Sequence, residues 1–383
     1  MKKIKAMAVF GTRPEAVKMA PLVKALERND NFETKTCVTA QHREMLDQVM
    51  DIFGIDAEFD LNIMQERQTL SSITSKALEG LNGIFQECKP DIVLVHGDTT
   101  TTFAASLAAY YAKIRVGHVE AGLRTYDKYF PYPEEINRRL TGVLADLHFA
   151  PTGTNRDNLI KENIDPDNIF VTGNTVIDAL STTITENFQF TEPFLRNYSF
   201  KEKKVIVMTA HRRENLGKPF EEIFKAIRKI ADEYAGIDII YPVHLNPAVQ
   251  EPAHKLLGNH PRIHLINPVN VQEMHNLMAR SYLVLTDSGG LQEEAPALGK
   301  PVLVLRNETE RPEAITAGTV KLAGTRFEGV YEALRELLDQ EGTYLNMARA
   351  INPYGDGKAS GRIVDALLYS FGLKGERPPE FTP

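Results

Sequence analysis

Short apolar runs recur along the chain, each closed by a Gly, Asp, His or Thr turn and followed by a stretch of helical period. That alternation is the pattern of parallel βα units, so the expected fold class is α/β. In the first half the expected strands are residues 5–10, 34–39, 92–96, 116–119, 147–150 and 169–171. In the second half they are residues 205–209, 237–241, 263–266, 283–286 and 302–305. Between the two sets, "TENFQFTEPFLRNYSFKEKK" (residues 185–204) is polar, carries a proline and lacks a sustained helical period, so it reads as a connector. A chain of 383 residues exceeds one ordinary hydrophobic core. Two Rossmann-like domains with parallel sheets follow, with the active site expected in the cleft between them, because such sheets bind ligands beyond the carboxyl ends of their strands.

Composition narrows the function classes. Hydrophobic residues at 43% and charged residues at 25% exclude a largely disordered chain. No run approaches the roughly 18 apolar residues of a membrane span, so no membrane partner is expected and the chain is read as cytoplasmic. A net charge of −7 argues against a nucleic-acid partner, and any anionic ligand must be held by a few local cations. Cys37 and Cys88 match no metal-ligand spacing, and no metal is expected. The segment "YGDGKASG" (residues 354–361) approaches a dinucleotide fingerprint but follows no strand, and the tail "GERPPEFTP" reads as a loose terminus.

The residues just after the expected strands carry the chemistry. In the first half these are Arg13 and Lys18, "HGDTTTT" with Asp98, "HVEAGLRT" with Glu120, and "YPEEINRRLTG" with Glu134. Asp98 is either a cleft acid or the cap of the helix beginning near Thr101. Glu134 is either a cleft acid or, with Glu135, complements a helix dipole after Pro133. Glu120 differs, because it lies between Val119 and Ala121-Gly122, where a charge must be partnered or working. In the second half, Ser288-Gly289-Gly290 opens a helix after a strand, a place where a phosphate can approach bare N–H groups, with Glu294 one turn on for ribose hydroxyls. His211, Arg212, Arg213 and Arg311 add cations.

The ordered motifs "FGTRPEAVKMAPL", "VHGDTTTT", "GHVEAGLRT", "YPEEINRRLTG", "FVTGNTVIDAL", "TAHRREN", "TDSGGLQEEAP" and "ERPEA" strongly resemble the non-hydrolysing bacterial UDP-N-acetylglucosamine 2-epimerases over almost the whole chain. The resemblance implies a GT-B fold, a homodimer, and a first domain of residues 1–172 completed by a returning helix within 362–383, with residues 173–361 as the second. It implies interconversion of UDP-GlcNAc and UDP-ManNAc without a cofactor. Asp98, Glu120, Glu134 and His211 match the catalytic positions, and Arg13, Lys18, Ser288, Gly289, Gly290, Glu294 and Arg311 match the substrate contacts, with His211 also facing the nucleotide. A second implication is activation by UDP-GlcNAc itself, at a pocket matching Gln41, His42, Arg67, Arg212 and His244, where Glu44 departs from a Gln common in close relatives.

Such chemistry suits these residue types. No carbonyl acidifies the hydrogen on carbon 2, so a carboxylate alone cannot remove it. Expelling UDP from carbon 1 acidifies that hydrogen and gives 2-acetamidoglucal, which re-adds UDP after protonation on the other face. The route needs a base, an acid opposite it and cations on the leaving diphosphate. A GT-B glycosyltransferase, a hydrolysing epimerase and a non-catalytic nucleotide-sugar sensor are the competing readings.

Overall fold

In a computed structural model, which describes residues 2–40, 43–63 and 68–383 with the backbone alone for 43–45, every expected apolar run forms a strand and all ladders are parallel. The chain divides into two compact units, residues 1–182 with 354–383, and residues 183–353.

The sheet of the first unit contains β1 (Ile4–Phe10), β2 (Phe32–Val38), β3 (Phe59–Asp60), β4 (Ile92–His96), β5 (Arg115–Val119), β6 (Leu147–Ala150) and β7 (Ile169–Val171). Their spatial order is β3-β2-β1-β4-β5-β6-β7. The winding reverses between β1 and β4, which opens a switch point above that pair. Near-continuous burial along β1 and β4 fits a parallel sheet covered on both faces. Met7 and Val9 of β1 and Val93 and Val95 of β4 pack with the helix Leu70–Cys88 through Ala77, Leu81 and Phe85.

The second sheet contains β8 (Lys204–Thr209), β9 (Ile237–Pro242), β10 (Ile263–Ile266), β11 (Leu283–Thr286), β12 (Val302–Val304) and β13 (Val320–Leu322) in the order β10-β9-β8-β11-β12-β13. Its switch point lies between β8 and β11. The amphipathic helix Lys218–Glu233 buries Phe220, Ile223, Phe224 and Ile227 against β8 and β9. Each such side chain contributes roughly 1.5–3 kcal/mol. Tyr241 is fully buried there, and its hydroxyl donates to Ala210 O at 2.7 Å, which satisfies the one polar atom it brings into the core.

Four segments differ from the sequence expectation or add to it. The strands β3 and β13 lay outside it, being too short and too weakly apolar to show a period. The segment 185–204 packs a chain of aromatic rings, with Phe190 against Phe188 and Phe200, Tyr198 against Phe200 and Phe194, and Phe194 stacked on His264 of β10 at 4.4 Å. The tail expected to be loose is tied down instead. Phe381 is buried and donates its N–H to Val171 O at 2.8 Å, extending the β7 edge, while Arg377 lies over the Phe170 ring at 4.2 Å.

The "YGDGKASG" turn is occupied by the chain's own carboxylate. Asp178 accepts from Ala359 N at 3.1 Å and Ser360 N at 2.7 Å, capping the helix Ala359–Ser370, which packs on the helix Arg13–Glu27. A carboxylate already satisfies the first-turn donors that a cofactor phosphate would need. Cys37 and Cys88 are buried and free, and burial pushes the Cys37 thiol up to about 12. Among the described residues no helix is long and apolar enough to cross a membrane, and no cluster of His, Cys, Asp or Glu could hold a metal.

Candidate active site

At the first unit's switch point, β1 runs through Gly11-Thr12 into the helix Arg13–Glu27, and β4 runs through Gly97-Asp98-Thr99 into the helix Thr100–Tyr111. A Cβ on Gly11 would lie 2.0 Å from Thr39 Oγ1 and 2.6 Å from Thr101 Oγ1, so only glycine allows this close approach. Glu15 is buried and ties the two turns together. Its carboxylate accepts from Gly11 N at 3.0 Å, Thr12 N at 2.8 Å, Thr12 Oγ1 at 2.8 Å, Thr99 Oγ1 at 2.6 Å and Thr102 Oγ1 at 3.1 Å.

Asp98 is not the cap of its helix. Thr99 takes that role, accepting from Thr102 N at 3.1 Å, and Asp98 is left to pair closely with Arg138. The helix Glu134–Leu144 brings that arginine in, and its Asn137 Nδ2 donates to Asp98 O at 3.0 Å. Glu134 opens the same helix and is partly buried. Glu135 is the structural acid of the pair, fully buried and accepting from Thr125 N at 3.0 Å and Tyr126 N at 3.1 Å.

Glu120 follows β5 in left-handed backbone, φ 61°, a conformation that costs a non-glycine residue free energy. It pairs closely with Lys18, accepts from Asn174 Nδ2 at 2.7 Å, and lies 3.5 Å from His96 Nε2. Burial pushes its carboxyl up, but Lys18 and His96 outweigh burial and hold it well below the usual carboxylate range. Lys18, expected among the substrate contacts, pairs with Glu120 in this structure. Behind them His118 Nε2 donates to Gly97 O at 2.7 Å, and burial holds that imidazole down at about 3. Arg13 stands half-buried as the first residue of its helix.

At the second unit's switch point, β8 leads to His211 and β11 leads to Asp287-Ser288-Gly289-Gly290. Neither Gly289 nor Gly290 has positive φ, so space is the reason for glycine here. A Cβ on Gly289 would lie 3.2 Å from the Arg311 guanidinium, and one on Gly290 would lie 3.2 Å from Glu294 Oε1. Arg311 is held by Glu293 at 2.8 Å and Glu310 at 3.1 Å, and Glu294 Oε2 lies 3.3 Å from His275 Nε2. Ser288 N–H donates to Thr286 Oγ1 at 2.9 Å. His211 stacks on exposed His244 with ring centroids 5.6 Å apart, and Arg212 Nε donates to Asp287 O at 3.2 Å. Burial lowers the His211 pKa and Asp287 opposes that shift.

Each unit thus gathers its sequence-predicted residues at its own switch point. Arg13, Lys18, Asp98, Glu120 and Glu134 belong to the first, and His211, Arg212, His244, Ser288, Gly289, Gly290, Glu294 and Arg311 to the second. Gln41, His42 and Arg67 lie outside the described residues. Sequence reasoning passed over Glu15, His96, Arg138, Asn174 and Asp287. A signal existed for the first, since Thr12 and Glu15 have capping-box spacing.

Two doubly wound Rossmann-like units, each with polar groups collected where its winding reverses, define the GT-B class. A family model described as UDP-N-acetylglucosamine 2-epimerase matches residues 24–368. The chain belongs to that family. It is similar to the Bacillus subtilis UDP-N-acetylglucosamine 2-epimerase, 59% identical over 382 residues, with 100% of each chain covered. It is also similar to the solved S. aureus MnaA–UDP complex, TM-score 0.90 at 54% identity with 100% of each chain covered. The Neisseria meningitidis UDP-GlcNAc 2-epimerase bound to UDP-GlcNAc gives TM-score 0.88 at 50% identity, covering 96% of this chain and 100% of that one.

Proposed function

We propose that the chain interconverts UDP-GlcNAc and UDP-ManNAc by eliminating UDP and adding it back, without releasing free sugar. The observation that carries this reading is Glu120, a buried carboxylate kept ionised in strained backbone at a strand end, with Asp98 and Glu134 provided by the same unit. The names of the B. subtilis and N. meningitidis relatives, and the UDP-GlcNAc bound to the latter, support the substrate.

In the elimination the carbon 1–oxygen bond breaks, its electron pair leaves with UDP, and the carbon 2 proton passes to a carboxylate. Re-addition delivers a proton to the opposite face from a second acid of the Asp98, Glu120 and Glu134 set. Negative charge grows on the diphosphate as it departs. Arg13, Lys18, His211 and Arg311 are the cations assigned to it, the Ser288–Gly290 turn holds it, and Glu294 takes the ribose. Gln41, His42, Arg67, Arg212 and His244 are assigned to an activating UDP-GlcNAc, with the working form a cytoplasmic homodimer.

Turnover in heavy water followed by NMR tests the reading. Solvent deuterium should enter carbon 2 of both nucleotide sugars. Epimerisation without deuterium would exclude elimination, accumulating free ManNAc would point to hydrolysis, and UDP-GlcNAc binding without turnover would point to a sensor.

A further inference from the structure

One buried carboxylate joins the two turns of the second unit's switch point and has no part in the reaction as written. Asp287 is fully buried, and its Oδ2 accepts from the backbone N–H groups of His211 and Arg212, both at 2.8 Å, and from Asn215 Nδ2 at 3.1 Å. Its Oδ1 makes no hydrogen bond among the described residues and lies 3.4 Å from His211 Nδ1. A buried carboxylate oxygen in that state costs free energy until a donor meets it. Asn215 Nδ2 also donates to Leu305 O, and Tyr241 OH to Ala210 O, so the backbone on either side of the dyad is fixed.

From this geometry we propose that Asp287 is a positioning residue for His211, its Oδ1 taking the Nδ1–H of the imidazole and leaving Nε2 for the diphosphate that departs from carbon 1. The proposal rests on the epimerase reading above. A carboxylate on one ring nitrogen fixes the tautomer and stabilises the imidazolium, which lets the other nitrogen offer a charge-assisted hydrogen bond to a developing oxyanion. No bond to His211 forms or breaks. The charged and titratable groups around the ring are Asp287, His244, Arg212 and Glu214, the last also paired with Arg306 at 3.1 Å. Asp287 and Glu214 both oppose the effect of burial on the ring, and of the two only Asp287 is fully buried and hydrogen-bonded to the backbone N–H of His211 itself.

The decisive measurement is a long-range ¹H–¹⁵N spectrum of the full chain labelled at histidine, with His211→Gln to assign the ring. In the unmodified protein the neutral ring should carry its proton on Nδ1. In Asp287→Asn the amide oxygen must stay on the backbone donors, which turns its NH₂ towards Nδ1. The ring should then switch to the Nε2–H tautomer and titrate at lower pH. Turnover should fall roughly 10²- to 10⁴-fold, with KM changed only a few-fold. In the His211→Gln background the same change should cost little more, because the two residues act as one unit. An Nε2–H tautomer in the unmodified protein overturns the proposal, even should Asp287→Asn fail to fold. So does an Asp287→Asn protein with unaltered titration and turnover. An Nδ1–H ring in a protein that binds UDP-GlcNAc but never epimerises it upholds the pairing and counts against the epimerase reading instead.

Discussion

Glu120 gathers into one residue most of what the first unit's switch point does. Burial alone would favour its neutral form, and Lys18 together with His96 reverses that outcome, so the carboxylate is ionised near neutral pH. Replacing Lys18 with Met should leave only His96 to oppose burial, raise the Glu120 pKa and move the acid limb of the kcat–pH profile to higher pH. An unmoved limb would separate Lys18 from the proton transfer. Replacing Glu120 with Gln keeps its shape and removes the transfer, so turnover should fall roughly 10²- to 10⁴-fold in a coupled assay of UDP-ManNAc formation. The acid itself was legible in the sequence because it interrupts an apolar and small-residue run. Its partners were not. Lys18, Asn174 and His96 reach it from three different βα units, and nothing local in the chain specifies such a meeting. Arg138 was hidden in the same way, one helical turn beyond Glu134 but aimed at a residue 40 positions upstream.

Among the elements, the histidines on adjacent strands make an acid weakness. His118 of β5 and His148 of β6 are paired across the ladder and buried, and burial holds their pKa values down at about 3 and about 4. Both are neutral in folded and unfolded chains well above pH 6.5, so they contribute no pH dependence there. As pH falls below 6.5 the unfolded chain takes up protons that the folded chain refuses, and stability is lost down to the folded values. For His148 alone this amounts to roughly 2 kcal/mol at pH 5. His148→Leu should therefore show a smaller fall in urea midpoint between pH 7 and pH 5 than the unmodified protein. An equal fall in both would remove His148 from the account. The strands bearing these residues were legible from their apolar runs. The edge strands β3 and β13 were not, because their residues, FD and VKL, form no continuous apolar run such as the IFV of β7 or the VLV of β12, and neither was the seating of the tail, which depends on Phe381 finding the open edge of β7.

Across the whole molecule, the repeated βα pattern made two Rossmann-like units legible, while the membership of residues 354–383 in the first unit is set by tertiary bonds such as Asp178 to Ala359 and Ser360. The proposed reaction divides its labour along the same line, with proton-transfer acids in one unit and the Ser288–Gly290 turn with Arg311 in the other. That division is measurable as a pattern of ligand-induced stabilisation. A ligand bound only by the folded state adds RT ln(1 + [L]/Kd), about 2.7 kcal/mol at a hundredfold excess over Kd. Saturating UDP should raise the unfolding temperature of the unmodified protein, and by a similar amount that of Asp98→Asn, Glu120→Gln and Glu134→Gln, since none of these changes touches the glycine turn. Gly290→Val should abolish the UDP shift, because its side chain takes the space beside Glu294 Oε1 and keeps a diphosphate from close approach to the turn. Its unfolding temperature without UDP controls for damage to the fold. If Gly290→Val keeps the full UDP shift, the diphosphate is not held at this turn. If the acid variants lose the shift along with turnover, those carboxylates serve binding, and the division between the units fails.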